Sequence, residues 1–267
     1  MDYGKVVLFS DLDGTLFNDQ TQVPERNREA IERFCRAGGI FCISSGRIPS
    51  NIAGYIEGIQ VNGPCILYNG SAVYDWSSGT YLYKRMLETE AAEDFLRMVQ
   101  KSFPQVDIQV YPGDEICFVS PKETADEEFV RLHQPCRFQT LETVEKPWFK
   151  ILIMGEPELL RRIREKGEAL PDVGDFIFTR ADYLEILPRG VSKGSALSQA
   201  MGCPELAGRF SAAIGDFYND IELLKAADLG IAPSNALDEV KQAADRIGCS
   251  NEEGVVADCI DRIIPEW

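Results

Sequence analysis

The sequence predicts an α/β protein, a doubly wound parallel sheet interrupted by an inserted α+β segment. Three observations carry this. Short continuous apolar runs alternate with amphipathic helical stretches at both ends of the chain, as in a parallel sheet covered on both faces. In the middle, strands come in adjacent pairs between helices, an α+β pattern. Polar clusters stand at or near the ends of the outer apolar runs, where open parallel sheets bind ligands.

Val6–Ser10 is apolar and ends in Asp11-Leu12-Asp13-Gly14, which reads as a buried strand entering a loop. Pro24 opens a helix at a position where proline is tolerated, Ala30, Ile31, Phe34 and Cys35 recur at helical spacing, and Gly38-Gly39 stops it. Ile40–Ile43 is a second strand, followed by Ser44-Ser45-Gly46-Arg47. A helix is expected over about Ser50–Ile59, and a third strand of the parallel sheet over Cys65–Tyr68, ending at Asn69-Gly70.

The middle segment predicts a helix over Ala91–Lys101, strands over Val106–Val110 and Ile116–Ser120 around Pro112-Gly113-Asp114, and a helix over Thr124–His133. Phe149–Met154 reads as a strand, Pro157–Leu170 as a charged amphipathic helix, and Asp175–Thr179 with Tyr183–Leu187 as a hairpin. Alternation then resumes: helix Lys193–Met201, strand Phe210–Ile214, helix Ile221–Ala227, strand Leu229–Ile231, helix Ala236–Ala244 and helix Val255–Ile264. The expected division is a core of residues 1–82 and 187–267 around an insertion of residues 83–186.

The chain carries 27 basic and 43 acidic residues, a net charge of −16, which argues against general nucleic-acid binding. No apolar run approaches the roughly 18 residues of a membrane span, and Val6–Phe9 is too short for the core of a signal peptide, so the expected compartment is the cytoplasm. The eight cysteines form no C-x-x-C pair and mostly sit in apolar segments, so reduced, buried thiols are expected. His133 is the single histidine, which disfavours a His-based triad or a His-rich zinc site.

The chemistry concentrates in four clusters. Residues at i and i+2 of an extended segment point the same way, so Asp11 and Asp13 are expected to crowd two carboxylates at one spot. Like charges there raise one pKa unless a cation neutralises them, and hard cations take carboxylate oxygens together with substrate phosphate. One carboxylate can attack phosphorus while its neighbour handles the proton. An ordinary acidic turn is the alternative reading. Gly215-Asp216-Phe217-Tyr218-Asn219-Asp220 offers another carboxylate pair, or a helix N-terminus with favourable acidic residues. Ser45, with the amides around Gly46, can meet an anion. Lys193 opens a helix, a place where a lone lysine is ordinarily solvated.

The order Asp11-x-Asp13-Gly14-Thr15-Leu16, Ser45-Gly46-Arg47, Lys193-Gly194 and Gly215-Asp216-x-x-Asn219-Asp220 resembles the haloacid-dehalogenase-like hydrolase superfamily. More narrowly, it is similar to the Cof-type sugar-phosphate phosphatases with a large α/β (type IIB) cap. Asn69-Gly70-Ser71-Ala72-Val73, Ser234-Asn235-Ala236 and Asn251-Glu252-Glu253-Gly254-Val255 also match, so the resemblance covers the full chain. It departs at Ser44-Ser45, where Ala-Thr is common, at Phe217-Tyr218, and at Pro233-Ser234, where Met-Gly is frequent.

The resemblance implies a Rossmann-like core with residues 83–186 as an α+β cap that sets specificity. It implies a Mg2+-dependent phosphomonoesterase acting on a small phosphorylated metabolite, a sugar phosphate first among them, through an aspartyl-phosphate. Asp11 is implied as nucleophile and Asp13 as the acid and base. Asp11, Asp216 and the Asp13 carbonyl are implied on the metal. Ser45, Gly46, Arg47, Asn69, Lys193 and Asn219 are implied at the phosphate or substrate, with Asp220 and Asn235 orienting them from outside. Tyr111, Glu115, Phe118 and Tyr183 lie in cap strands or turns, where packing or surface roles are the expectation. Hinges are expected near Leu82–Arg85 and Leu184–Arg189. A phosphomutase and a catalytically idle phosphometabolite sensor are the rival readings. Neither a membrane nor a nucleic-acid partner is expected, and the sequence names no protein partner.

Overall fold

The computed structural model describes residues 2–125, 127–132 and 135–267, so His133 and the end of the helix expected there lie outside the described residues. The chain divides into two compact units. The first holds the residues up to Arg47 together with Ile52–Tyr83 and Ser192–Trp267; the second holds Ile48–Asn51 and Lys84–Val191.

In chain order, β1 (Val6–Ser10), α1 (Glu25–Arg36), β2 (Ile40–Ile43) and α2 (Pro49–Ala53) precede β3 (Pro64–Leu67), β4 (Ala72–Asp75) and β5 (Thr80–Lys84). Then come α3 (Thr89–Ser102), β6 (Asp107–Gly113), β7 (Glu115–Phe118), α4 (Glu127–Leu132), β8 (Cys136–Phe138), β9 (Lys150–Met154), α5 (Pro157–Glu168), β10 (Asp175–Arg180) and β11 (Tyr183–Leu187). The chain closes with α6 (Lys193–Met201), β12 (Phe210–Ile214), α7 (Ile221–Ala226), β13 (Leu229–Ala232), α8 (Asp238–Ala243), β14 (Arg246–Ile247) and α9 (Val255–Asp258).

The first unit is built on a five-stranded sheet in the order β14-β13-β12-β1-β2, and every pairing in it is parallel. β1, β2 and β13 are buried at every position and β12 at all but Phe210, because helices cover both faces, which explains their unbroken apolar sequence. Val7, Phe9, Cys42 and Ala213 pack with Ala196, Leu197 and Ala200 of α6, Leu223 and Leu224 of α7 and Val240 of α8. Leu8 and Phe41 point the other way by strand alternation and are also fully buried. Helices α1 and α9 pack against each other, with Ile31, Phe34 and Val256 buried.

Three sequence expectations need correction. The third strand joins β2 by a single parallel bridge, Ser44 to Ile66, and its full pairing is antiparallel with β4 in a separate sheet ordered β3-β4-β5. The helix expected over Ser50–Ile59 ends at Ala53, where Gly54 follows and Gly58 takes φ +79°. The final helix is regular only over Val255–Asp258 and widens over Cys259–Ile263 before a last turn at Ile264–Glu266.

The second unit is a six-stranded sheet ordered β10-β11-β9-β6-β7-β8, antiparallel except between β7 and β8. One face is apolar: Ile108, Val110, Ile151, Ile153, Leu184 and Ile186 pack with Phe95, Leu96 and Val99 of α3 and Leu160 and Ile163 of α5. The alternate positions of the same strands carry buried Gln109, Tyr111, Lys150 and Glu185. Lys150 Nζ lies 2.9 Å from Glu185 Oε2 and 4.6 Å from the Tyr111 ring centroid. Phe118 stacks on Phe138, and Glu115 pairs with Arg137. Leu184–Leu187, expected within a hinge, lies inside β11, paired on both sides as far as Ile186 and with β10 alone at Leu187, so the connection there starts at Pro188.

All eight cysteines are free thiols, and five of them are buried. Among the described residues, no helix is long and apolar enough to cross a membrane.

Candidate active site

Strands β12, β1 and β2 lie side by side in parallel, so their carboxyl ends deliver three loops to one sheet edge. Asp11 follows β1, Asp216 follows β12, and Ser45 follows β2. The first two loops are tied together where the Asp11 amide donates to the Ile214 carbonyl at 2.9 Å. This edge is where the strand order reverses about β1, the usual binding crevice of an open α/β sheet.

Lys193 enters from α6. Ser192 caps that helix reciprocally: its Oγ accepts from the Ser195 amide, and Ser195 Oγ accepts from the Ser192 amide. The cap fixes Lys193 as the first helical residue with a fully buried side chain. Its ammonium donates to Asp11 Oδ1 at 2.7 Å and to Asp220 Oδ1 at 2.6 Å. The other Asp220 oxygen accepts from the Asp216 and Phe217 amides, so Asp220 holds both the lysine and the Asp216 loop. Thr15 Oγ1 donates to Asp216 Oδ1 at 3.0 Å. A Cβ on Gly14 would stand 2.5 Å from Asp216 Oδ2, so only glycine lets the two loops come this close. Asn235 Nδ2 donates to the Gly14 carbonyl, and Asn235 Oδ1 accepts from the Asn251 amide.

Tyr68, Asn69 and Gly70 form a turn with three successive positive φ angles, 52°, 54° and 104°. Two of these residues are not glycine, a conformation of higher energy that packing must hold in place. The turn connects three parts of the site. The Asn69 amide donates to the Ser45 carbonyl at 3.1 Å, Asn69 Oδ1 accepts from Asn219 Nδ2 at 3.0 Å, and Gly70 lies against the Ser192 carbonyl. Ser45 Oγ accepts from the Arg47 amide, and Gly46 packs on the Asn69 side chain.

The expectation that Asp11 and Asp13 crowd one spot does not hold. Asp11 is extended, but the chain turns tightly over Leu12–Leu16 with Gly14 at φ 73°. The Asp13 carboxylate instead meets the Arg47 guanidinium: Nε donates to Oδ2 at 2.9 Å and Nη2 to Oδ1 at 2.6 Å. Among the described residues, the acidic groups that do converge are Asp11, Asp216 and Asp220, with one carboxylate oxygen of each within 4.8 Å of the other two.

Burial pushes the Asp11 carboxyl well above the usual range, against the pull of Lys193, and Asp220, Asp216 and Asp13 push the same way. Burial, then the charge of Asp220, raises Asp216 to about 7. Burial acts to lower Lys193, but Asp11 and Asp220 outweigh it and hold the ammonium above its ordinary value. Three carboxylates thus face one ammonium at the edge of the sheet. The excess of negative charge on hard oxygen donors suits a divalent cation.

Several contributors escaped the sequence reading. Thr15 stands inside the first motif, which was the available signal. Tyr55 and Phe17, which flank the Arg47 guanidinium, carry no local signal because they meet it only in the folded chain.

A model of the family described as haloacid dehalogenase-like hydrolase matches residues 8–260 of the chain. Endoribonuclease YBEY, chloroplastic, of Arabidopsis thaliana is 27% identical over 272 residues; the match covers 96% of this chain but 46% of that protein, so the chain spans about half its length. HMP-PP phosphatase of Yersinia pseudotuberculosis is 27% identical over 252 residues, covering 92% of this chain and 90% of its own. Among solved structures, a haloacid dehalogenase-like hydrolase from Bacteroides thetaiotaomicron superposes with a TM-score of 0.84 at 29% identity, covering 96% of this chain and 98% of that one.

Proposed function

The chain belongs to the haloacid dehalogenase-like hydrolases, and from that premise we propose that it is a Mg2+-dependent phosphatase of a small phosphorylated metabolite, a sugar phosphate first among the candidates. One observation carries the reading: Asp11 and Asp216 meet at neighbouring strand ends, with the buried ammonium of Lys193 on Asp11.

An Asp11 oxygen attacks phosphorus, and the Asp11–phosphorus bond forms as the ester bond breaks. Asp13 gives a proton to the departing oxygen, which leaves as an alcohol. Water then adds to phosphorus and passes a proton to Asp13, and the Asp11–phosphorus bond breaks to release phosphate. Ser45, the Gly46 amide, Arg47, Asn69, Asn219 and Lys193 hold the phosphoryl oxygens. Asp220 orients Lys193, and Asn235 braces the Gly14 turn, through the contacts described above. Asp11, Asp216 and the Asp13 carbonyl would hold Mg2+, which when bound would offset charge on the transferring group. General acid–base help contributes about 10²–10⁴ in rate, so most of the acceleration falls to positioning and electrostatics. Residues 83–186 are proposed as the cap that selects the alcohol portion.

The test is phosphate release from a panel of phosphorylated metabolites, with Mg2+ and with EDTA. The substrate named for the Yersinia relative belongs in that panel, as does a hexose phosphate with a bisphosphate primer. Metal-dependent release supports the reading. Isomerisation without release would replace it with a mutase, and silence across the panel would leave a sensor.

A further inference from the structure

Arg47 is the anchored member of its pair with Asp13. Its guanidinium lies 4.9 Å from the Tyr55 ring centroid and 5.8 Å from that of Phe17. Its side chain is 16% exposed, whereas that of Asp13 is 58% exposed. The carboxylate is therefore the partner with room to leave. While it stays, both its oxygens accept from the guanidinium, which fixes the direction of the carboxylate. The planar fork of an arginine matches a phosphoryl group as well as it matches a carboxylate.

We propose that Arg47 is an anion receptor whose resident ligand, before substrate arrives, is the Asp13 carboxylate. The incoming phosphoryl group takes that place and frees Asp13 for the reacting oxygen. The proposal rests on the phosphatase reading above and adds a positioning role for Arg47 acting through Asp13. No covalent bond changes in the exchange: a carboxylate–guanidinium pair separates and a phosphoryl–guanidinium pair forms. Asp13 is thereby withheld from the reacting position until a phosphoryl group is present.

The test is a binding cycle with inorganic phosphate as the probe, followed by calorimetry on the full chain loaded with Mg2+. Asp13→Ala removes the competing anion and is expected to tighten phosphate about tenfold, the scale of one charge-assisted hydrogen bond. The same change in an Arg47→Met background is expected to give no gain. An equal gain in both backgrounds would overturn the proposal, because it would reflect general charge repulsion. Absence of any gain with Arg47 intact would overturn it as well. If Arg47→Met does not fold, Arg47→Lys retains the charge without the fork; the gain should then fall below about threefold, and a full tenfold gain would count against the exchange. The phosphatase reading fails separately, when the wild-type protein releases phosphate from no ester.

Discussion

The Lys193 ammonium lies 2.7 Å from Asp11 Oδ1, a contact between residues 182 positions apart in the chain. Both groups are buried, and Asp220 completes the pair from the other side. The lysine is therefore a requirement of the fold as well as of the proposed chemistry.

Lys193→Met should leave two buried carboxylates unpaired and cost about 3–5 kcal/mol of stability. Adding Asp220→Asn should recover part of that loss without restoring phosphate release. Urea unfolding of the single and double variants, beside a release assay, checks both halves. Equal stability of the two variants would contradict the pairing argument.

Asp11→Asn should lower phosphate release by at least about 10⁴-fold, since it removes the proposed attacking oxygen. Circular dichroism should stay native, because Lys193 retains Asp220. Release within tenfold of wild type would exclude Asp11 as the nucleophile.

Asp216 is raised to about 7, well above the usual carboxylate range, so the folded chain binds this proton more tightly than the unfolded chain. Its contribution to stability is full below the unfolded value and is lost as pH rises through about 7. Metal-free protein should therefore lose thermal stability between pH 5 and pH 8 relative to protein with Mg2+, and the gain from Mg2+ should be larger at the higher pH. Melting curves with Mg2+ and with EDTA at the two pH values decide the point; a gain that shrinks with pH would refute it.

Gly70→Ala and Gly190→Ala form a matched pair. Both glycines have positive φ, but a Cβ on Gly70 would stand 2.2 Å from the Ser192 carbonyl, whereas nothing lies within 4 Å of one on Gly190. Gly190→Ala should cost about 1–2 kcal/mol from backbone strain alone. Gly70→Ala should cost about 3 kcal/mol or more and also reduce phosphate release, because Ser192 sets the start of the helix that carries Lys193. Comparable losses at the two sites would show that the contact with Ser192 is unimportant.

The sheet was legible because β1, β2, β12 and β13 are covered on both faces and so read as unbroken apolar runs. The strands β4 and β5 were not foreseen. β4 is buried only at Ala72 and Val73, and in β5 Tyr81 and Tyr83 alternate with exposed neighbours. That hairpin took β3 as its antiparallel partner, against the expectation of a parallel strand. In the site, the strand-end residues were legible from position and residue type. The direction of the Asp13 side chain was not, since it depends on an arginine 34 residues away. Nor was the left-handed turn at Tyr68 and Asn69, where no local preference of tyrosine suggests a positive φ.

The pairing of β1 with β12 also sets an order of assembly. One edge of β1 finds β2, the next strand in the chain, but the other waits for Phe210–Ile214. The contiguous segment Lys84–Val191, with its own apolar layer, is complete on the ribosome before that strand exists. Domains fold as units during synthesis, and pairings distant in sequence close slowly. A nascent chain released early would carry Asp11, the proposed nucleophile, but neither Lys193 nor Asp216. Under the proposed function, hydrolytic competence waits for the residues that follow β12.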